Sequence, residues 1–542
     1  MVARNVLMEE QPVSSTPAPA ETLMQRFEGR QSNELVLAFA GPIGCGIKSV
    51  VNAARRSLLK LNYRVEVIKV SQFLEESLAA GRIQATVKDQ EWSDPFYRYR
   101  KLQEAGKRIR ELSENKHILA EFAVSQIVLD RERSRDEAVN APVESYSQRV
   151  AYLIDQVKRP EEVDLLRALY RNLFYLVGVT KPYAQRKRLL EDDGVDETET
   201  EKLIEIDRSE EGLWGQQLDK TLHLADFFVR NDALVDQRNA IDRFVSLIHG
   251  DKSKTPDVLE TGMYAAYAAG LRSACLSRQV GAAIANTNGD VIATGCNDVP
   301  APKGGLYGGA RSHQDHRCVH IGDRECFNDY YKRKLQEDIG YVLDVIFREN
   351  GVGNSGKILK QSLEAIYKKT RLGSLIEFSR SVHAEMDAIV SLARSGGEGI
   401  RGARLFTTTF PCHSCARHIV ASGIEEVIYI EPYDKSMAQQ LHRDAISFES
   451  PADYSEEMND EDRRHQESKV KFLHFEGVSP RLFATVFRAD GRKNKDTGRF
   501  VPIATENPAK VLPEYLDNYH AFEDAAVKHF AEKLSKLPSV KY

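Results

Sequence analysis

The stretch ARLFTTTFPCHSCARHIVASGIEEVIYIE, residues 403–431, joins two strand patterns through one helical pattern. Residues 403–410 and 425–431 are rich in β-branched, aromatic and other apolar side chains, as strands are. The intervening residues 411–422 follow a helical pattern, as does SVHAEMDAIVSLA at 381–393. Strands that alternate with helices indicate an α/β fold whose sheet has helices on its faces. We therefore predict an αβα domain around this stretch.

The junctions between these elements carry His383, Glu385, Cys412 and Cys415, which together can build a zinc site. One imidazole and two thiolates supply three protein ligands and leave the fourth tetrahedral position open, as a catalytic zinc requires. Zinc in such a site lowers the pKa of its bound water from about 15.7 toward 7. Glu385 stands two residues after His383 and can move a proton from that water to a substrate. The positive end of a helix dipole favours thiolates at these junctions.

Each of these residues also has a plainer interpretation. Cys412 and Cys415 form a CxxC pair, which is typical of redox-active dithiols and of one half of a structural zinc site. A histidine such as His383 is, taken alone, an ordinary core or surface residue. The four residues in this order favour the catalytic site, with His383, Cys412 and Cys415 as metal ligands and Glu385 as the catalytic residue.

A glycine-rich loop, GPIGCGIKS at residues 41–49, lies between the strand pattern ELVLAFA at 34–40 and a helical pattern at 49–62. The strand pattern YRVEVIKV follows at 63–70, so this region begins a separate α/β unit with a parallel sheet. Backbone amides of such a loop bind anions, assisted by the helix dipole. We therefore predict a P-loop, kinase-like domain that binds a nucleotide together with Mg²⁺. The candidate nucleotide-binding residues are Gly41, Gly44, Gly46, Lys48 and Ser49.

The loop departs at one place from the P-loop pattern GxxxxGK[ST]. Ile47 occupies the lysine position, and Lys48 and Ser49 are each shifted by one residue. We expect this loop to bind phosphate without efficient phosphoryl transfer. The alternative is a glycine-rich turn that only packs the helix on the strand.

Composition shifts divide the chain into four parts. Residues 1–32, with the stretch PVSSTPAPA, form a predicted flexible tail. The P-loop domain is predicted at 33–250, as far as the polar joint HGDKSKTP, and the zinc domain at 251–490. Within the zinc domain, residues 300–378 have the character of an insertion. Residues 491–542 form a C-terminal extension whose sequence indicates no chemistry.

Composition also bears on partners and location. The chain has 42% hydrophobic residues and a net charge of −5, so it can build packed cores and has no overall attraction to nucleic acid. No apolar run approaches the roughly 18 residues that span a bilayer, and the N-terminal MVARNVLMEE is not an apolar signal segment. We expect a cytoplasmic protein without membrane contact, whose seven cysteines build no disulfide scaffold.

The motifs HAE at 383–385 and PCHSC at 411–415 resemble the HxE and PCxxC signature of zinc deaminases. The stretch CLSRQVGAAIANTNGDVIATGCNDVP, residues 275–300, resembles the first hairpin of the deoxycytidylate deaminase family. Its central Asn-Gly pair is a strong hairpin signal. This resemblance implies a zinc-dependent hydrolase that converts a deoxycytidine nucleotide to the deoxyuridine form.

The resemblance also implies roles for two residues of the hairpin. Asn297 is expected to hydrogen-bond to the deoxyribose hydroxyl, and Arg278 is expected to lie near the phosphate. The alternatives are a turn residue and a surface cation. The sequence departs from the family pattern HAExNAI, because Asp387 stands at the asparagine position, and the insertion is longer than a minimal enzyme needs.

Over residues 33–490 the chain is similar to the anti-phage dCTP deaminases, in which a P-loop domain precedes a deoxycytidylate-deaminase-like domain. The resemblance implies dCTP or dCMP as the small-molecule substrate, zinc as the cofactor and depletion of dCTP in antiviral defence. It also implies a homo-oligomer. An inhibitory regulator of unknown identity is compatible with it.

Histidines and cysteines crowd the insertion, which raises the question of a second, structural zinc. They are His313, His316, Cys318, His320 and Cys326. Their spacing is loose and irregular, so exposed histidines and buried thiols are the alternative.

Two other classes of function compete with a free-nucleotide deaminase. A polynucleotide cytidine deaminase shares the metal motif but needs a cationic groove lined with aromatic side chains. The negative net charge of the chain and the deoxycytidylate-deaminase-like hairpin disfavour this class. A nucleotide-sensing, kinase-like protein with a passenger deaminase domain is the other class, and the intact glutamate disfavours it.

Overall fold

The structure is a computed structural model, and it describes the following residues: 31–84, 95–137, 149–210, 212–232, 237–308, 315–396, 399–433, 436–448, 458–488, 492–504, 508–515 and 519–535. Residues 1–30 of the predicted tail lie outside this set. None of the described helices is long and apolar enough to cross a membrane.

Strands and helices alternate along most of the described chain. The strands in chain order are β1 (Leu35–Ala40), β2 (Arg64–Lys69), β3 (Val150–Asp155), β4 (Phe174–Thr180), β5 (Phe227–Arg230), β6 (Gly281–Ala285), β7 (Val291–Cys296), β8 (Arg404–Thr409), β9 (Glu426–Glu431), β10 (Ile446–Ser447), β11 (Val470–His474) and β12 (Gly477–Val478). The helices are α1 (Ile47–Lys60), α2 (Val70–Ala79), α3 (Pro95–Leu112), α4 (Ile118–Glu137), α5 (Pro160–Tyr170), α6 (Tyr183–Asp192), α7 (Glu197–Ser209), α8 (Leu218–Leu222), α9 (Gln237–Ile248), α10 (Val258–Gly270), α11 (Phe327–Glu349), α12 (Ser355–Lys369), α13 (Ala384–Ser395), α14 (His413–Ser422), α15 (Ala438–Leu441), α16 (Asp460–Glu467), α17 (Pro480–Val486) and α18 (His520–Ser535).

The first sheet has the strand order β12-β5-β4-β1-β3-β2. Its neighbouring strands are parallel except β12, which pairs with β5 in the antiparallel sense. Every residue of β1 is buried, as expected for a central parallel strand covered on both faces. Leu35, Leu37 and Phe39 pack with α1 and α9, and the alternate residues pack with α3, α4 and α5.

The second sheet has the order β10-β11-β9-β8-β6-β7. The strands from β10 to β8 are parallel, and β6 pairs in the antiparallel sense with both β8 and β7. Leu405 and Val427 pack with α13 and α14 on one face of the sheet. Phe406 and Ile428 point to the other face, where α10 lies. The structure thus confirms the α/β class, with two sheets that are mostly parallel.

The two sheets share a hydrophobic core. One continuous cluster of buried side chains includes Phe228 from β5 together with Phe406 and Ile428 from the second sheet. The chain also crosses back between the sheets, because β11 lies in the second sheet and β12, three residues later, pairs with β5 in the first. The amide of Val478 in β12 donates to Oε1 of Glu260 in α10 at 3.0 Å. The predicted boundaries at 250 and 490 therefore divide a chain whose halves are packed together.

Gly295 at the end of β7 allows α13 to approach the second sheet closely. A Cβ at this position would overlap the carbonyl oxygen of Ala384 and the amide nitrogen of Ala388. Gly295→Ala is therefore expected to lower the free energy of unfolding by about 1–3 kcal/mol, because overpacking forces the helix away from the strand. Denaturant unfolding measures this change. Gly356→Ala is the control, since no atom lies within 4 Å of a Cβ there, and an equal loss in both variants would contradict the packing argument.

Candidate metal centre

His383, Cys412 and Cys415 meet where two helices begin. His383 is the residue before α13, and Cys412 is the residue before α14. The Nδ1 atom of His383 lies 3.3 Å from Sγ of Cys412 and 3.4 Å from Sγ of Cys415. Ligands on a tetrahedral zinc with ordinary bond lengths are about 3.5 Å apart, so the three side chains fit that ion. Among the residues that the structure describes, this is the group of histidine, cysteine and acidic side chains that could hold a metal ion.

The three ligand side chains shift the pKa values of one another. Hydrogen bonds from the Cys415 thiol and from His383 lower the pKa of Cys412 to about 4. The same hydrogen bond to Cys412, together with burial, raises the pKa of Cys415 well above its usual range. The hydrogen bond to Cys412 raises the pKa of His383 to about 9. Binding of a divalent cation would therefore release protons from Cys415 and His383.

Glu385 lies in the first turn of α13, beside these ligands. Only 4% of the residue is exposed to solvent. Burial raises the pKa of its carboxyl, while the nearby charge of His383 opposes that change. A carboxyl whose pKa is raised toward neutrality suits proton transfer.

Asn297 and Arg278 lie at the hairpin that precedes the insertion, and both border the same cavity as Glu385. The side chain of Asn297 holds the adjacent loop: its Oδ1 accepts from the amide of Val280 at 2.7 Å, and its Nδ2 donates to the carbonyl of Arg278 at 2.8 Å. The Arg278 guanidinium lies 3.6 Å from Oε2 of Glu431. The predicted contacts of Asn297 with a sugar and of Arg278 with a phosphate stay predictions.

Asp387, which stands at the asparagine position of the family pattern, has a structural contact. Its Oδ2 accepts a hydrogen bond from the amide of Cys296 at 3.1 Å and so ties α13 to the end of β7. An asparagine side-chain oxygen could accept the same bond, because both side chains have the same length. The departure from the family pattern thus keeps an acceptor at this position.

The metal centre opens into a cavity of about 800 Å³. Its lining includes Phe327 and Lys332 from the insertion, together with three residues that sequence reasoning did not assign to the site. Those three are Asp219 and Lys220 of α8 and His223, which directly follows this helix. No local pattern marks them, because they reach the cavity only through the packing of the two sheets.

The insertion shows no second metal cluster within the described residues. His316, Cys318, His320 and Cys326 belong to that set and form no such group. His313 lies outside the described residues.

The glycine-rich loop connects β1 to α1 as the sequence predicts. Gly44 and Gly46 have positive φ angles of 78° and 75°, which glycine adopts without strain. Asn231, the residue after β5, donates from Nδ2 to the carbonyl of Cys45 at 2.6 Å and to Oγ of Ser49 at 3.2 Å. The end of the loop is thereby fixed to the neighbouring strand.

Side chains around this loop bear on nucleotide binding. The amide of Ile43 donates to Oδ2 of Asp207 at 2.7 Å. One amide of the loop is therefore already hydrogen-bonded to a carboxylate of the protein. Ile47 is buried in the same apolar cluster as Leu35 and Phe244, whereas Lys48 is exposed. Burial raises the pKa of the Asp155 carboxyl at the end of β3, and the charge of Lys48 opposes it. Nucleotide binding by this loop stays a prediction.

A histidine, two cysteines and a glutamate in this order and geometry define the class of zinc deaminases. In agreement, residues 256–431 match the cytidine and deoxycytidylate deaminase zinc-binding region. The deoxycytidylate deaminase of Enterobacteria phage T4 is 29% identical over 178 residues, which are 32% of this chain and 79% of the phage protein. That of Enterobacteria phage T2 is 30% identical over 180 residues, 32% of this chain and 81% of the phage protein.

The chain belongs to the deoxycytidylate deaminase family. The crystal structure of dCMP deaminase from cyanophage S-TIM5 in its apo form is 22% identical and covers 35% of this chain and 94% of the phage chain. Its TM-score is 0.20, so the family assignment rests on the sequence relatives.

Proposed function

We propose that this protein is a hydrolytic deaminase that converts deoxycytidine nucleotides to deoxyuridine nucleotides. The observation that carries the proposal is the group of His383, Cys412 and Cys415, with the buried Glu385 beside it, at a cavity of about 800 Å³. The two phage relatives, which match over 79% and 81% of their own length, are deoxycytidylate deaminases. The three ligands fit zinc. A catalytic zinc has three protein ligands, so that its fourth coordination position stays open for water or substrate.

The proposed reaction adds water to C4 of cytosine and breaks the bond between C4 and the exocyclic nitrogen, which leaves as ammonia. His383, Cys412 and Cys415 would hold the zinc ion, which would supply Lewis acidity when bound. Glu385 takes a proton from the attacking water and passes it to the ring nitrogen N3. The same carboxylate then assists the proton transfer that makes the amine a leaving group. Its burial restricts exchange of that proton with bulk water.

The substrate is tested by incubating the purified full chain with dCMP, dCTP, CTP and single-stranded DNA. Release of ammonia and formation of the uracil product identify the nucleotide that is deaminated. We expect dCTP or dCMP to be converted, and a cell that contains the active protein would then lose its deoxycytidine nucleotides, which limits phage replication. Conversion of single-stranded DNA alone would instead identify a polynucleotide deaminase.

We also propose that the first domain binds a nucleotide and regulates the second domain. A route of hydrogen bonds supports the connection. Nζ of Lys158 donates to the carbonyl of Gly41 in the loop at 3.3 Å, and the carbonyl of Lys158 accepts from the amide of Gln217 at 3.1 Å. Gln217 precedes α8, whose Lys220 lines the same cavity as Glu385. A ligand at the loop can shift the deaminase only by binding one conformation better than the other.

Gly46→Ala is expected to weaken nucleotide binding to the first domain and to change the rate of deamination without changing zinc content. The residue has a φ of 75°, and a Cβ there would lie 2.6 Å from Nδ2 of Asn231. Couplings between sites are usually about 1–3 kcal/mol, so the expected change in apparent substrate affinity is roughly 5- to 150-fold. Calorimetry with ATP and with deoxynucleoside triphosphates measures the first effect, and ammonia release measures the second.

The unaltered protein should hydrolyse ATP slowly, because a buried isoleucine, Ile47, stands at the position where a P-loop carries its lysine. A fast ATPase or nucleotide kinase activity that Lys48→Ala abolishes would contradict this prediction.

Gly353→Ala is the control for Gly46→Ala, since nothing lies within 4 Å of a Cβ at Gly353. Unchanged deamination in Gly46→Ala, despite lost nucleotide binding, would remove the regulatory role.

A further inference from the structure

One wall of the deaminase cavity comes from the first domain. Asp219 and Lys220 lie on α8, and His223 directly follows this helix. All three residues line the same cavity as His383 and Glu385. This wall lies outside residues 256–431, to which the family match extends. The cavity of this protein is therefore completed by residues that the matched family region does not include.

Helix α8 is held in place by its apolar side chains. Leu218 and Leu222 are buried and belong to the core that the two sheets share. The same cluster contains Ile428 and Ile430 of β9. Strand β9 ends at Glu431, which also lines the cavity. The position of Lys220 relative to the metal centre is therefore set by packing rather than by a free loop.

Lys220 differs in its contacts from two other cations of the cavity wall, Arg278 and Lys332. Arg278 and Lys332 each have a carboxylate partner, at 3.6 and 3.0 Å. The ammonium of Lys220 is 3.4 Å from the side-chain oxygen of Gln217. Within the part of the chain that the structure describes, it forms no ion pair. Lys220 is exposed to solvent at the cavity wall, where its positive charge can be neutralised by a ligand anion.

The size of the cavity indicates a ligand longer than a nucleoside. Ligand pockets range from about 300 to 1,000 Å³, and this cavity, at about 800 Å³, is near the upper end. A base held at His383 and a sugar near Asn297 leave room for a charged tail. We propose that Lys220 binds the outer phosphates of a deoxycytidine triphosphate whose base reaches the metal centre, so that the first domain selects the length of the phosphate tail. This inference rests on the proposed deaminase function.

The test compares the full chain with its Lys220→Ala and Lys220→Arg variants on deoxycytidine, dCMP and dCTP. Lys220→Ala is expected to lower the ratio of kcat/KM for dCTP to that for deoxycytidine by on the order of 10-fold, mostly through KM, because one charge-assisted hydrogen bond is lost. Lys220→Arg should restore most of the ratio. Lys202→Ala is the matched control, since Lys202 is an exposed lysine of α7 that does not line the cavity.

Equal changes on all three substrates, or no change in the ratio, would overturn the role of Lys220 while leaving the deaminase function in place. Absence of activity on every substrate in the unaltered protein would instead refute the proposed function. In that case calorimetry with dUTP and with inorganic tripolyphosphate still decides the role of Lys220. Weaker binding of both ligands to Lys220→Ala supports the inference, and identical dissociation constants overturn it.

Discussion

Glu385→Gln is expected to lower kcat/KM for the best deoxycytidine nucleotide by on the order of 10²- to 10⁴-fold, with zinc content and fold unchanged. Glutamine has nearly the same volume, so the buried position in the first turn of α13 stays filled. Its amide cannot take the proton of the attacking water, so the reaction loses its base. Conversion of substrate to the uracil product measures the rate, and elemental analysis measures zinc.

Glu425→Gln is the matched control, because Glu425 is an exposed carboxylate of the same domain and does not line the cavity. Turnover close to that of the unaltered protein would remove Glu385 from the proton-transfer role. Loss of zinc together with activity would have a different meaning, since the carboxyl would then be needed to hold the metal centre together. The two measurements therefore separate a chemical role from a structural one.

The local part of this site could be predicted from the sequence because neighbouring residues build it. Cys412 and Cys415 are three residues apart, and a strand that turns directly into a helix brings both sulfur atoms to the first turn. His383 and Glu385 lie at the start of another helix, α13. The starts of these helices follow from local composition. The sequence alone therefore predicts that the four residues lie at helix starts.

The wall formed by α8 could not be predicted, because it depends on how two sheets pack. Nothing in the sequence around Lys220 differs from an ordinary short amphipathic helix. Apart from Asp219 and His223, the residues that line the cavity are more than 50 residues away in sequence. The return of the chain to the first sheet at β12 (Gly477–Val478) likewise depends on how the two sheets pack. The segment 470–486 contains apolar residues that suit either sheet, and the open edge of β5 decides which sheet β12 joins.

The hairpin at residues 275–300 could be predicted in part. The resemblance implies that Asn297 hydrogen-bonds to the deoxyribose hydroxyl, which stays a prediction, and in the structure Asn297 lines the same cavity as Glu385. Its side-chain bonds to Val280 and to the carbonyl of Arg278 are tertiary details that a motif does not encode. One amide can hold a loop and border a ligand site, so the turn role and the substrate role are compatible.

Cys412→Ala is expected to abolish both zinc binding and deamination, whereas the unaltered protein should contain about one zinc per chain. Cys412 is the residue around which the centre is built. Its Sγ lies 3.3 Å from Nδ1 of His383 and accepts a hydrogen bond from the amide of Cys415 at 3.4 Å. Removal of this thiolate leaves two ligands, and two side chains do not make the three-ligand site of a catalytic zinc. Elemental analysis of the purified variant measures the loss.

Thermal unfolding gives a second measurement that does not depend on activity. A metal that binds only the folded state adds about 2.7 kcal/mol of stability at a free concentration 100 times its dissociation constant. A chelator should therefore lower the Tm of the unaltered protein and leave the Tm of Cys412→Ala unchanged. Cys45→Ala is the control: Cys45 is also a buried cysteine, but it does not belong to the group of His383, Cys412 and Cys415, so its removal should leave zinc bound. Full zinc occupancy in Cys412→Ala would overturn the assignment of the metal centre, because the metal would then be held by other residues.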